Sequence, residues 1–264
     1  LLKYFNTIKD IVDNINLFID EDGITIKGMD NSQICLLHCF LSCNEFIEFS
    51  LEKSLNLGIH IKTFCKILSA SEKIDTLMFR NTDSDILDII FENNYRKSNF
   101  SYKLIHLDFD DIEIGVIIFP VKIDLCIKRF SKIYSEIDLI ESNNINFNVD
   151  SISNSIKISG NGELGDLETK LKFTKEKKLK FKNKNDNGKI LSSIILQPEY
   201  IIHSLRENFN VEFSLKKIGE ILKISNLVNR IIINISESDP LKLEFITSKH
   251  NSYIHYSKIN MDNY

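Results

Sequence analysis

The chain has 264 residues, of which 43% are hydrophobic and 27% are charged, a profile typical of a globular protein with enough apolar residues for a core. Its formal net charge is −4 at pH 7, so a contact with nucleic acid must come from local clusters of basic residues and not from the overall charge. No apolar run approaches the ~20 residues that span a bilayer as a helix, and the first residues show no signal peptide, so we expect no membrane partner.

Four segments have apolar residues at helical spacing, three or four positions apart. In chain order the four apolar stripes are Leu2, Phe5, Ile8, Val12 and Ile15; Ile61, Phe64, Ile67 and Leu68; Ile123, Cys126, Ile127 and Phe130; and Leu215, Ile218 and Leu222. Each stripe covers about a third of a helix surface, as expected for a helix that lies on one side of a sheet.

A run of short, β-rich segments follows each predicted helix. In chain order the four runs read INLFIDEDGITIKGMD, IDTLMFRNTDSDILDIIFE, INFNVDSISNSIKISG and NRIIINISESDPLKLEFIT. The second and fourth runs align as one hairpin with a polar turn, NTDSD matching SESDP. The chain therefore has two similar halves that meet near residues 108–120. We predict an α+β fold with the helices on one side of continuous antiparallel sheets.

The stretch at residues 22–41, DGITIKGMDNSQICLLHCFL, predicts a strand, a tight turn and a second strand. Its turn holds Met29 and Asp30. In the second strand Ile34 and Leu36 lie on one face, and the residues on the other face are Cys35, Leu37 and Cys39. Both faces are apolar, although a strand of a half-solvated sheet should alternate between apolar and polar residues. We therefore expect something to cover the second face.

The five cysteines include no Cys-x-x-Cys pair and are odd in number, which favours a reducing compartment and free, buried thiols. Cys35, Cys39 and Cys43 are four residues apart, a separation of roughly 13 Å on a strand. They cannot share one metal ion at a ligand distance near ~2.3 Å, and His38 falls on the opposite face. We predict core thiols and no metal site.

A Gly-rich motif and the lack of known catalytic motifs bear on whether the chain is an enzyme. Gly160, Gly162 and Gly165 match the spacing of a dinucleotide fingerprint, but that motif must open a helix, and the residues that follow alternate as a strand. We therefore predict a hairpin turn here. The sequence has no Gly-x-Ser-x-Gly motif, no P-loop and no zinc-ligand spacing, so we predict neither a catalytic site nor a cofactor. An active site assembled from distant residues stays open as an alternative.

The polar faces of the predicted helices are basic. The basic residues on the four helices are Lys3 and Lys9; Lys62 and Lys66; Lys128, Arg129 and Lys132; and Lys216 and Lys223. Residues three or four apart share a helix face, although Asp10 and Asp13 offset the lysines of the first helix. A solvated face is the ordinary interpretation for any one helix. Four such helices on one side of a sheet would instead form a basic surface suited to phosphate backbones, without base reading.

Six stretches in collinear order resemble the proliferating cell nuclear antigen family, the eukaryotic DNA sliding clamps. They are LLKYFNTIKDIV, DGITIKGMDNSQICLL, LNLGIHIKTFCKILS, YKLIHLD, ISGNGELGD and SDPLKLEF. The Met-Asp turn before an apolar strand is the most specific of them. The resemblance implies two clamp domains, residues 1–107 and 119–264, joined by a linker at residues 108–118. It also implies a head-to-tail trimeric ring, with helices lining a pore and antiparallel sheets outside.

The function implied by the resemblance is that of a DNA polymerase processivity factor, which is not an enzyme. A homotrimer would encircle double-stranded DNA without sequence preference and tether a DNA polymerase, a clamp loader and other replication and repair proteins by a short peptide. The implied location is the nucleus, or else a viral or organellar replication compartment. Two alternatives remain open: a subunit of a heterotrimeric checkpoint clamp, and an enzyme with an undetected active site.

The resemblance also assigns residues to three surfaces. Basic pore positions are Lys3, Lys9, Lys66, Lys128 and Lys223, to which helical facing adds Lys62, Lys132 and Lys216. The partner-peptide groove comprises Met29, Ile34, Leu36, Ile114, Val116, Pro240 and Ile259. The subunit interface comprises Phe100, Tyr102 and Leu104 of one chain and Leu171 and Phe173 of the next. A separate loop at residues 175–189 contains seven lysines and is either a solvated loop or an extra DNA or partner contact.

Overall fold

The structure is a computed structural model that describes residues 2–32, 35–83, 85–107, 117–172, 200–246 and 253–258. The helices are α1 (Leu2–Ile8), α2 (Ile61–Leu68), α3 (Ile127–Asp138) and α4 (Leu215–Leu222), with short 3-10 helices at Cys43–Glu45 and Lys223–Asn226. The strands of the first half are β1 (Asn14–Asp20), β2 (Gly23–Met29), β3 (Cys35–Ser42), β4 (Leu55–His60), β5 (Thr76–Asp83), β6 (Ile86–Glu92) and β7 (Lys97–Lys103). Those of the second half are β8 (Val121–Cys126), β9 (Asn144–Asp150), β10 (Ser155–Gly162), β11 (Gly165–Lys172), β12 (Tyr200–Leu205), β13 (Phe209–Ser214), β14 (Arg230–Ile235), β15 (Leu241–Ile246) and β16 (Tyr253–Lys258).

The strands form three antiparallel sheets. The largest has nine strands in the order β12-β8-β14-β15-β16-β3-β2-β1-β4. A four-stranded sheet has the order β11-β10-β9-β13, and a three-stranded sheet has the order β5-β6-β7. The nine-stranded sheet runs through both halves of the chain because β16 pairs with β3, which places His255 opposite His38. The predicted α+β class with continuous antiparallel sheets is confirmed.

The internal repeat is visible in the register of two hairpins. In the first half Leu77 on β5 pairs with Phe91 on β6. In the second half Ile231 on β14 pairs with Phe245 on β15. The polar turns that the sequence alignment matched connect the two strands in each case. The two predicted hairpins are therefore confirmed as equivalent units.

The helices pack one apolar face into the core and leave the opposite face exposed. On α2 the buried residues include Ile61, Phe64 and Leu68, and Lys62 and Lys66 are exposed. Helices α1 and α2 meet where the rings of Phe5 and Phe64 contact edge to face, with centroids 5.0 Å apart. Full burial of one such aromatic side chain contributes roughly 1.5–3 kcal/mol, so these faces determine how the helices sit on the sheets.

Two of the predicted helix boundaries are wrong. Helix α1 ends at Ile8, and Ile15 belongs to β1. Ile123 and Cys126 lie in β8, so the third helix begins only at Ile127. In β8 the buried residues recur at every second position, and Ile123 pairs with Ile233 of β14. The spacing of three between Ile123 and Cys126 arises by chance, where a strand runs directly into a helix.

The Gly-rich motif is a hairpin turn, as predicted. Strand β10 ends at Gly162 and β11 begins at Gly165, which leaves a two-residue connection. A side chain at Gly162 would collide with the carbonyl oxygen of Ile140. The glycine therefore permits the close approach of the end of the α3 segment to this hairpin, and it does not form a nucleotide cradle.

Asp30, in the Met-Asp turn, connects the two halves. Its buried carboxylate accepts hydrogen bonds from the Cys35 N–H (2.8 Å), the Ser32 hydroxyl (2.5 Å) and Lys217 Nζ (3.2 Å). Lys217 lies on α4 in the second half, and its Nζ is also 3.4 Å from a carboxylate oxygen of Glu220. Burial opposes the charge of Lys217, but the hydrogen bond to Asp30 and the charge of Glu220 outweigh burial and raise its pKa. The motif that was most specific in the sequence is thus an anchor between halves.

Tyr102 holds the edge strand β7 against the start of α2. Its buried hydroxyl accepts a hydrogen bond from the His60 N–H (3.0 Å) and donates one to the His60 carbonyl oxygen (3.3 Å). Its ring also contacts Phe64 edge to face at 5.8 Å. Burial raises the pKa of Tyr102, with the hydrogen bond to His60 acting in the opposite direction.

Replacing Lys217 with Met should lower the free energy of unfolding by about 1.5–3 kcal/mol, the range for a hydrogen bond to a charged group, because Asp30 would stay buried without its lysine. Lys216→Met is the matched control, since Lys216 is exposed on the same helix and its loss should cost less than about 0.5 kcal/mol. Urea denaturation of both variants measures the difference. Equal stabilities would show that the Asp30–Lys217 contact does not stabilise the fold.

Replacing Tyr102 with Phe should destabilise the protein by about 1–3 kcal/mol, because the His60 N–H loses its acceptor in a partly buried place. Tyr95→Phe is the control, since Tyr95 is 89% exposed and its variant should match the parent. Thermal denaturation provides the comparison. A Tyr102→Phe protein as stable as the control would contradict the proposed anchoring role.

Candidate functional site

The lysines predicted from helical facing lie on one layer of adjacent helices. Helix α1 contacts α2 and the 3-10 helix Lys223–Asn226, and α3 contacts α4 and the same 3-10 helix. The exposed lysines of this layer are Lys3, Lys62, Lys66, Lys128, Lys132, Lys216 and Lys223, and Lys9 is half-buried. Lys223 begins the 3-10 helix just beyond α4, so its predicted position on α4 is corrected by one residue.

Several of these lysines are paired with carboxylates. Lys62 Nζ lies 2.5 Å from Asp13 Oδ1, and Lys223 Nζ lies 3.0 Å from Asp10 Oδ2. The expectation that Asp10 and Asp13 offset lysines of their own helix is therefore wrong, because both reach lysines of other elements. A weaker pair joins Lys132 to Glu136 of the same helix at 3.8 Å, and Lys9 donates to the side-chain oxygen of Asn6 at 3.0 Å.

Four lysines of the helix layer have no such partner. Across the described ranges, no ion pair involves Lys3, Lys66, Lys128 or Lys216. They are spread over all four helices, one on each. Lys9 also keeps its charge, since its partner Asn6 is neutral, but it is half-buried. These four are therefore the fully exposed lysines of the layer whose charge no carboxylate offsets among the described residues.

Asp13 is held as an anion by two donors. The hydrogen bond from Lys62 and a second one from the Asn31 side-chain amide at 2.7 Å lower the pKa of Asp13, against a smaller opposing effect of burial. A carboxyl group starts near pKa ~3.9, so Asp13 carries its charge throughout the neutral range. The pairing with Lys62 does not depend on pH there.

Three residues of the predicted groove lie near the same ends of the inner strands β2, β3 and β15 of the nine-stranded sheet. Met29 pairs with Leu36, Leu36 pairs with Ser257, and Ser257 pairs with Lys242, two residues after Pro240. Neighbouring strands are ~4.8 Å apart, so about 10 Å separate Leu36 from the strand that Pro240 precedes. Met29, Leu36 and Pro240 are all half-buried.

The remaining groove residues and one interface residue cannot be placed. Ile34, Ile114, Val116, Ile259 and Phe173 lie outside the described residues, as does the lysine-rich loop at 175–189. Most of the linker, residues 108–116, lies outside them as well. The assignments of these residues and the domain boundaries stay predictions.

The two strands predicted to join neighbouring subunits are both sheet edges. Strand β7 ends the three-stranded sheet and β11 ends the four-stranded sheet. Their side chains differ in availability: Phe100 is 37% exposed, whereas Tyr102 and Leu171 are buried. Leu104 follows β7 and is half-buried. The open backbone edges remain available for pairing, and Phe100 is the most accessible of the apolar side chains.

The cysteines are buried or half-buried. Cys35, Cys39 and Cys65 are buried, and Cys43 and Cys126 are half-buried. Burial, with a smaller effect of Glu45, raises the pKa of Cys39 to about 12, which leaves it an inert thiol at neutral pH. Within the part of the chain that the structure describes, no cluster of three or more His, Cys, Asp or Glu side chains could hold a metal ion. No helix among those residues is long and apolar enough to cross a bilayer.

Comparison with known proteins identifies relatives of the whole chain. The family model described as "Proliferating cell nuclear antigen, N-terminal domain" matches residues 1–113. The chain is 26% identical to the proliferating cell nuclear antigen of Chaetomium thermophilum, over 93% of this chain and 88% of the relative. It is 25% identical to that of Dictyostelium discoideum, over 93% and 89% of the two chains, and 24% identical to proliferating cell nuclear antigen 1 of Plasmodium falciparum, over 93% and 84%.

These matches cover nearly the whole chain and agree with the architecture. The relatives align with both halves, and both halves are built from antiparallel sheets with few helices. This is the arrangement that the sequence resemblance implied for a DNA clamp. The chain has the DNA clamp fold, and it is similar to proteins of the proliferating cell nuclear antigen family over nearly its whole length.

Proposed function

We propose that this chain is a DNA sliding clamp, a processivity factor that encircles duplex DNA and tethers replication and repair proteins. The observation that carries the proposal is the helix layer, on which four exposed lysines without ion-pair partners among the described residues lie one on each helix. Cations spread over a surface in this way suit the phosphate backbone, which every sequence shares. Lys3, Lys66, Lys128 and Lys216 are the proposed DNA contacts.

Three copies are proposed to close into a ring through edge strands β7 and β11. Such a head-to-tail contact is heterologous and must close to avoid open filaments. Unpaired edges are a liability in a monomer, and β7 and β11 are edge strands of the first and the second half respectively. In the ring the helix layer would face the pore and the outer sheet face would remain accessible.

The partner site is proposed around Met29, Leu36 and Pro240, near the ends of the inner strands of the nine-stranded sheet. Met29 and Leu36 lie on the adjacent strands β2 and β3, and Pro240 precedes β15, which β16 separates from β3. All three are half-buried apolar residues, and an extended peptide is proposed to lie across them. Ile34 is proposed to complete its floor, and the linker and the C-terminal residues to form its walls. A polymerase, a clamp loader or another partner would insert an aliphatic residue and two aromatic residues there.

The family comprises non-enzymatic clamps, and the relatives found are clamps of this family, which disfavours both an enzyme and a checkpoint-clamp subunit. Nuclear location is proposed on the same relationship. A viral or organellar replication compartment is the alternative.

Light scattering with mass determination tests the ring. We expect a species of roughly 90 kDa, three times the chain mass of 30.6 kDa, because closed heterologous assembly gives one defined size. The size should not increase with concentration, since a closed ring leaves no free edge. A monomer that persists at micromolar concentration would refute the homotrimer.

Replacing Ile34 with Asp should abolish binding of a peptide that carries one aliphatic and two aromatic anchors, because a charge would enter the apolar floor. The ring should stay intact by light scattering. Ile152→Asp is the matched control, since Ile152 is an exposed apolar residue in the turn between β9 and β10, and this variant should bind the peptide as the parent does. Unchanged peptide affinity of Ile34→Asp, measured by calorimetry, would refute the groove assignment.

A further inference from the structure

We infer that Asp10 and Asp13 withhold Lys223 and Lys62 from DNA, so that the DNA contact of α2 rests on Lys66 and that of α4 on Lys216. This inference rests on the proposed clamp function and specifies which lysines perform it. The two acidic residues set how strongly the helix layer attracts the duplex.

The first pair joins two elements of the same half. Asp13 lies just before β1, and Lys62 lies in the first turn of α2. Their side chains are 32% and 55% exposed, so the pair lies on the surface of the helix layer. The side-chain amide of Asn31 donates a hydrogen bond to Oδ2, the other oxygen of the same Asp13 carboxylate. This second contact fixes the position of the negative charge.

The second pair joins the two halves of the chain. Asp10 follows α1 in the first half, and Lys223 begins the 3-10 helix after α4 in the second half. Their side chains are 42% and 53% exposed, and α1 is in contact with this 3-10 helix. Both acidic residues thus lie on the same layer as the lysines proposed to contact DNA.

Electrostatics explains the effect on DNA, even though exposed ion pairs are weak. A surface pair contributes at most about 1 kcal/mol, so the carboxylate does not lock the lysine in place by energy. However, the pair has no net charge, and its residual field is screened within ~8 Å at physiological salt. A lysine that moves to a phosphate leaves an uncompensated carboxylate nearby, which repels the same backbone. Such a lysine adds little to the counterion release that drives binding.

Helix α2 offers a matched comparison, because Lys62 and Lys66 lie one turn apart and both are exposed. Lys62 is paired with Asp13, whereas Lys66 has no ion-pair partner among the described residues. The same contrast holds between Lys223 and Lys216 in the second half. Both lysines of each comparison are exposed on the same layer, but only one of the two forms an ion pair with a carboxylate among the described residues.

The experiment measures binding of a fluorescent duplex of about 30 base pairs to the 264-residue chain by anisotropy over a series of NaCl concentrations. Lys66→Gln should lower affinity severalfold and reduce the slope of log K against log salt by up to about 0.9 for each phosphate that is no longer neutralised. Removing the pair as a unit, Lys62→Gln together with Asp13→Asn, should change the affinity by less than about twofold, because the pair has no net charge and a surface pair is weak. Lys216→Gln and the double variant Lys223→Gln with Asp10→Asn should differ in the same way.

The converse variant releases the paired lysine. Asp13→Asn should raise affinity and steepen the salt dependence, because Lys62 then contributes its full charge. Adding Lys62→Gln to Asp13→Asn should cancel the gain, whereas a gain that came only from a rearranged contact with Asn31 would persist in the double variant. Light scattering and thermal denaturation of each variant confirm that the assembly is retained.

The outcomes separate this inference from the proposed function. Duplex binding by the parent protein with a salt-dependent slope, but with equal losses for Lys66→Gln and for the double variant Lys62→Gln with Asp13→Asn, would overturn the inference and leave the clamp proposal standing. Absence of duplex binding by the parent protein even at low salt would overturn both. Losses for Lys66→Gln and Lys216→Gln, with both paired double variants binding as the parent does, would support both.

Discussion

The pairing of β16 with β3 is the interaction on which the rest of the structure depends. The two strands are in register from Ile254 opposite Cys39 to Lys258 opposite Cys35, and they belong to different halves of the chain. Without this ladder each half would end in an open edge. This ladder joins the two halves into one sheet. The hydrogen bond between Asp30 and Lys217 links the same two halves.

Strand β3 also explains why the two sides of the sheet differ in chemistry. Cys35, Leu37 and Cys39 are buried in the core, while Leu36 and His38 are only half-buried on the other face. Burial, together with the charges of Lys27 and Lys242, lowers the pKa of His38, so its ring is neutral at pH 7. The outer face of β3 therefore combines the apolar Leu36 and the neutral His38, and Lys27 lies opposite His38 on β2.

Charge on the helix layer is controlled by pairing as much as by composition. The protein is acidic overall, with a net charge of −4, yet its helices expose lysines on a common layer. The carboxylates of Asp10 and Asp13, between α1 and β1, and of Glu136, on the same helix as Lys132, neutralise some of them. The result is a moderate positive surface, which suits a protein that must stay on DNA and still move along it, because strong attachment at many phosphates would oppose sliding.

The sequence by itself determined the repeat, the α+β class, the two-sided strand and the basic helix faces, because each depends on local periodicity or spacing. Periodicity failed where a strand runs straight into a helix, as at Ile123 and Cys126, because two apolar residues three apart extended the helical pattern although they lie on opposite faces of β8. Only the tertiary structure decided that Asp13 and Asp10 meet Lys62 and Lys223, that Tyr102 is an anchor and not an open surface residue, and that Asp30 reaches Lys217. Contacts between residues so distant in sequence arise from how the elements pack, and no local pattern in the chain encodes them.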